Sequence, residues 1–64
     1  MNDEYENAST GRQLSIKAGD APGVRFHHIQ EADMDGENCT NLWLEDDKVQ
    51  SYVDDLVANG WVKR

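Results

Sequence analysis

The segment "CTNLWLEDDKVQSYVDDLVANG", residues 39–60, changes its apolar period part-way along, and that change decides the fold. Up to Glu45, "CTNLWLE" is rich in apolar and β-compatible residues and is short enough for a strand. From Asp46 onward, Val49, Tyr52, Val53, Leu56 and Val57 recur at helical spacing and form one stripe. Asp46 is the expected N-cap, and Asp47 complements the positive end of the helix dipole. Asn59-Gly60 reads as the stop, with Gly60 in the left-handed conformation and Trp61 folded back onto Leu56 or Val57.

Working outward, Asp35-Gly36 is a hairpin signal. It joins "CTNLWLE" to an earlier strand, "VRFHHIQEADM". The turn leaves the register open: a two-residue loop would pair Ile29 with Leu42 and His28 with Trp43 and turn Trp43 to the outer face, and the alternative is that Trp43 covers an edge of the core. Before this strand, "GDAPG" supplies Gly19, Asp20, Pro22 and Gly23 as a turn cluster. "RQLSIKAG" alternates, with Leu14 and Ile16 on one face. Residues 1–11 are polar and are expected to be a flexible tail, with Tyr5 touching the body. "WVKR" reads as a short extended end.

The expected fold is therefore α+β: a three-stranded antiparallel meander packed against one C-terminal amphipathic helix, in a single β-β-β-α domain over residues 12–64. Its expected core comprises Leu14, Ile16, Val24, Phe26, Ile29, Leu42, Leu44, the helix stripe and Trp61.

Sixty-four residues allow one small domain. No apolar stretch is long enough to span a bilayer, and the N-terminus lacks the basic and apolar regions of a secretory signal. The single cysteine, Cys39, cannot form an internal disulfide and favours a reducing compartment. These features point to a cytoplasmic location.

Chemistry is sparse. Glu31, Asp33, Asp35 and Gly36 imitate the start of a calcium loop, but the position that needs a bidentate glutamate holds Leu42. The stretch reads as a turn. His27 and His28 point to opposite faces of a strand and cannot share one ion, so no metal or cofactor is expected. One histidine is expected to be partly buried and the other solvated, and Cys39 to be a small strand residue. The glycines form no phosphate cradle, and a core this small leaves little room for a desolvated catalytic carboxylate. An enzyme is not expected.

Thirteen acids against six bases give a net charge of −7. That balance repels nucleic acid and anionic lipid and attracts basic protein surfaces. On the helix, Asp47, Ser51, Asp54, Asp55 and Ala58 lie opposite the apolar stripe, with no opposite-charge pair four residues apart. The residues expected to bind a partner are Asp46, Asp47, Asp54, Asp55 and Glu45, together with Glu31, Asp33, Asp35 and Glu37 on the hairpin. Trp43 is the candidate apolar anchor.

In size, charge and its plan of one helix on a small sheet, the chain resembles phage-type small acidic inhibitors, including anti-CRISPR and anti-restriction proteins that mimic DNA. The resemblance is one of class and spans the whole chain. It implies direct blockade of a nucleic-acid-binding complex in the host cytoplasm, with no direct contact to nucleic acid or membrane. A second expectation stands beside it: a small regulatory or structural module that binds through an apolar patch or forms a homodimer, its acidity serving solubility. The composition leaves the oligomeric state open.

Overall fold

A computed structural model describes residues 2–19 and 21–64; Met1 of the expected tail and Asp20 of the expected turn cluster lie outside them. The elements are β1 (Asn2–Asn7), β2 (Arg12–Ala18), β3 (Phe26–Asp33), β4 (Thr40–Glu45), α1 (Asp46–Ala58) and β5 (Val62–Lys63). All strand pairings are antiparallel, in the order β4-β3-β2-β1-β5, and α1 packs against β3 and β4. The fold is α+β as expected, but the sheet has five strands rather than three.

Both additional strands come from the chain ends. The segment expected as a tail contains β1, whose Tyr5 sits opposite Leu14 and is buried. Its polar composition disfavours a strand, and burial of Tyr5 overrides that preference. The turn that returns the chain is made by local polar chemistry. Asn7 Oδ1 accepts from the Ser9 N–H at 3.0 Å, and the Gly11 N–H donates to the Asn7 carbonyl at 2.9 Å. Asn7 is itself buried, and its Nδ2 donates to the Asn59 carbonyl, tying β1 to the end of α1. Beyond the helix, β5 pairs with β1 through Tyr5–Lys63 and Glu6–Val62.

The β3–β4 register, which the sequence left open, is the one a two-residue loop would give, with Ile29 opposite Leu42 and His28 opposite Trp43. The turn reaches it by a longer route. Gly36 (φ +86°) donates to the Asp33 carbonyl at 2.8 Å, and Asp33 donates to the Glu37 carbonyl at 2.9 Å. This is a three-residue loop with a left-handed glycine. An additional residue on the returning side, near Asn38 (φ +54°), then shifts the pairing back by one, as a β-bulge does.

Tyr5, Leu14, Ile16, Ile29, Val49 and Leu56 form the buried cluster between sheet and helix, with Leu44, Tyr52, Val53 and Trp61 packed around it. Four expected core residues are outside it: Val24, Phe26, Leu42 and Val57 are exposed. In a strand, Phe26 and Ile29 cannot share a face because their spacing is odd; Ile29 faces the helix, so Phe26 faces away. Leu42 lies on the edge strand. Val57 follows Leu56 by about 100° and falls beyond the arc that touches the sheet.

The end of α1 follows the expectation closely. Gly60 (φ +92°) donates to the Val57 carbonyl at 3.2 Å, and Trp61 donates to the Leu56 carbonyl at 3.0 Å. These two bonds complete a Schellman motif and bring Trp61 back onto the core.

Candidate protein-binding surface

The acidic residues singled out above fall into separate groups. At the base of the hairpin, Arg12 reaches across from β2. Its Nε lies 2.6 Å from Glu31 Oε2, its Nη1 lies 2.8 Å from Asp33 Oδ1, and its Nη2 donates to the Asn38 carbonyl at 3.1 Å. Asn38 Nδ2 adds a bond to the second Asp33 oxygen at 2.6 Å. Glu31 and Asp33 are therefore occupied within the fold. The hydrogen bond to Glu31 is the main cause holding the Arg12 guanidinium further above its usual range, against the opposing effect of partial burial. Beside this cluster, burial and then the Glu31 carboxylate push the Tyr52 phenol above its ordinary value.

At the hairpin tip, Asp35 Oδ1 accepts from the Glu37 N–H at 3.2 Å, closing an Asx turn, and no cation pairs with either carboxylate among the described residues.

Glu45, Asp46 and Asp47 meet where β4 runs directly into α1. Glu45, not Asp46, is the N-cap, and its side chain makes no capping bond. The Asp46 N–H donates to the Arg25 carbonyl at 2.9 Å, continuing the β3–β4 ladder by one more pair. The sheet's own hydrogen bonding thus draws Asp46 one step into the helix. Its carboxylate turns to His27 Nδ1 at 2.7 Å. Asp47 remains in the first turn, favourably placed for the helix dipole. Val24, Arg25 and Phe26 face these acids across an open concavity of about 670 Å³.

Along the outer side of α1, Asp54 accepts from Gln50 Nε2 at 3.0 Å, and the Asp55 side chain has no partner among the described residues. Both are exposed. Tip and junction acids lie at opposite ends of β4, roughly 20 Å apart by the rise of a six-residue strand.

Trp43 stands on the sheet face opposite α1, 66% exposed, with its ring stacked on His28. The ring centroids are 4.3 Å apart. His28 Nε2 lies 2.7 Å from Asn41 Oδ1, which fixes the lower ring of the stack. Both histidines are partly buried, on opposite faces. Cys39 is an exposed loop residue before β4, rather than part of a strand, with Sγ 3.2 Å from the Gly36 carbonyl.

The distribution of cations gives these groups their meaning. Residues 26–58 hold nine of the thirteen acids and one of the six bases, Lys48. At the β1–β5 edge, by contrast, Lys63 pairs with Asp3 at 3.3 Å and Arg64 approaches Glu6 at 3.9 Å. Asp35, Glu37, Glu45, Asp47, Asp54 and Asp55 keep carboxylates without a cation among the described residues.

Among those residues no group of three or more His, Cys, Asp or Glu is arranged to hold a metal ion, and no helix is long and apolar enough to cross a membrane. No protein-family model, curated protein or solved structure matches the chain.

Proposed function

We propose that the chain is an acidic interaction protein that binds a basic, nucleic-acid-binding surface of a partner protein and blocks it, acting without catalysis. One observation carries the reading: the ion pairs that lysine and arginine make lie at the β1–β5 edge and beneath the hairpin, and although Arg25 and Lys48 stand near the β4–α1 side, neither pairs with its carboxylates among the described residues. Unpaired carboxylates at Glu45, Asp47, Asp54 and Asp55 present negative oxygens to solvent, the chemistry by which phosphates engage lysine and arginine. Glu31, Asp33 and Asp46 support the surface from within and contribute less to contact, because Arg12 and His27 hold their side chains. Inhibition of a nuclease or a CRISPR complex in a phage-infected host is the setting this chemistry suits.

The exposed Trp43 favours a second reading, in which an apolar contact carries the affinity and the charge serves solubility. A pull-down with the purified chain, run beside a variant carrying D47N, D54N and D55N, separates them. The triple variant loses the partner under the charge reading. Equal recovery of the same partner overturns it.

A further inference from the structure

The long free edge of the sheet is β4, since the opposite edge carries only the two-residue β5. The direction in which its backbone points follows from three bonds. On the β2 side of β3, the Gly19 N–H donates to the Phe26 carbonyl and the Met34 N–H to the Gly11 carbonyl; on the other side, the Asp46 N–H donates to the Arg25 carbonyl. Even-numbered residues of β3 therefore bond to β2 and odd-numbered ones to β4, where Thr40, Leu42 and Leu44 answer them. The N–H and C=O groups of Asn41 and Trp43, and the N–H of Glu45, point to the free side. The same alternation makes His28–Trp43 a non-hydrogen-bonded pair, the kind that brings side chains closest, which accounts for their stacking.

Sheet edges are commonly protected by lysine, proline or a bulge. Thr40–Glu45 contains neither residue, and its exposed side chains include Leu42 and Trp43. Its protection is placed beyond the strand. Asp35 and Glu37 lie past one end, and Glu45 and Asp47 lie at the other. A second copy is disfavoured by this arrangement: antiparallel pairing about Leu42 brings Glu37 of one copy toward Asp47 of the other, like charge to like charge. A strand with basic ends meets no such barrier.

We infer that β4 is a docking edge, which takes an extended segment of the partner as a sixth strand. The segment carries lysine or arginine toward each end, opposite the two acidic groups, and apolar side chains between them to rest on Trp43 and Leu42. Main-chain bonds to Asn41, Trp43 and Glu45 supply affinity, and the charges select the segment. This deepens the function proposed above and rests on it.

The test is an NMR titration of the full chain, at low salt, with an octapeptide that has two lysines at each end and alternating threonine and valine between. Two controls carry aspartate in place of lysine, or one proline in place of a central residue. The basic peptide is expected to slow amide exchange at Asn41, Trp43 and Glu45, and each control to bind at least about tenfold more weakly. Binding of the basic peptide at the Asp54–Asp55 face, with the edge amides unchanged, overturns the docking edge and leaves the acidic-surface reading standing. No binding of the basic peptide at all overturns both. Edge amides that become protected without peptide, as protein concentration rises, assign the edge to a second copy and overturn the occupant.

Discussion

Arg12 Nε lies 2.6 Å from Glu31 Oε2, so one of only six cations in a chain of net charge −7 is used inside the fold. The same guanidinium holds Asp33 and the Asn38 carbonyl, and thereby fixes the base of the hairpin to β2. Replacing Arg12 with methionine leaves two carboxylates side by side and a carbonyl without its donor. The thermal midpoint falls and amide exchange quickens across residues 31–38. Lys63→Met, which breaks a single pair between an exposed lysine and a half-buried Asp3 at the other edge, changes stability by about 1 kcal/mol or less in chemical denaturation.

Ile16 is wholly buried at the centre of the sheet. Ile16→Ala removes contacts worth about 2–5 kcal/mol, comparable with the entire stability expected of a domain this size. Circular dichroism of the variant at 37 °C shows a largely unfolded chain, whereas a variant that melts within a few degrees of the parent contradicts the placement of the core.

Gly60 sits at φ +92°, and a Cβ there meets nothing closer than Asn7 Nδ2 at 4.0 Å. Gly60→Ala is therefore penalised by backbone conformation alone, by about 1 kcal/mol. Urea unfolding measures it, and an unchanged midpoint contradicts the Schellman cap.

The Tyr52 phenol is held above its ordinary value of 10.0 by burial and by Glu31. The folded state thus prefers the neutral form more strongly than the unfolded chain does. That contribution is fully present below pH 10 and is lost as pH rises through the folded-state value. Tyr52→Phe removes this part of the alkaline loss, so the difference in unfolding free energy between the two proteins shifts in favour of the variant above pH 10. A difference independent of pH contradicts the assignment.

Trp43 is exposed and packs chiefly on His28. Trp43→Ala costs no more than about 1.5 kcal/mol in stability, the range of an aromatic pair. It is expected to weaken partner binding by a larger factor than it weakens folding, read by comparing calorimetric affinity with the urea midpoint.

Although the β3–β4 register rests on a three-residue loop and a compensating extra residue that Asp-Gly alone does not specify, the helix and its C-terminal cap were legible in the sequence because each has a local cause: a 3.6-residue period and an Asn-Gly stop. β1 was not, since Asn, Asp and Glu disfavour strands and only burial of Tyr5 against Leu14 overrides them. A signal was present in Asn7, Ser9, Thr10 and Gly11, a turn cluster placed between Tyr5 and the alternating Leu14 and Ile16. Strand parity alone also separates Phe26 from Ile29. Of the candidate site, the acids themselves could be read from the sequence, but their partners could not. Which carboxylates Arg12 and His27 hold depends on contacts between residues 19 or more apart.

The surface charge is tested most directly by the salt dependence of the dissociation constant for the recovered partner. Engagement of several lysines and arginines by the β4–α1 carboxylates predicts an association constant that falls by at least about tenfold between roughly 50 and 200 mM salt. An affinity constant within about twofold over that range contradicts the central claim and assigns binding to Trp43 and its apolar surroundings.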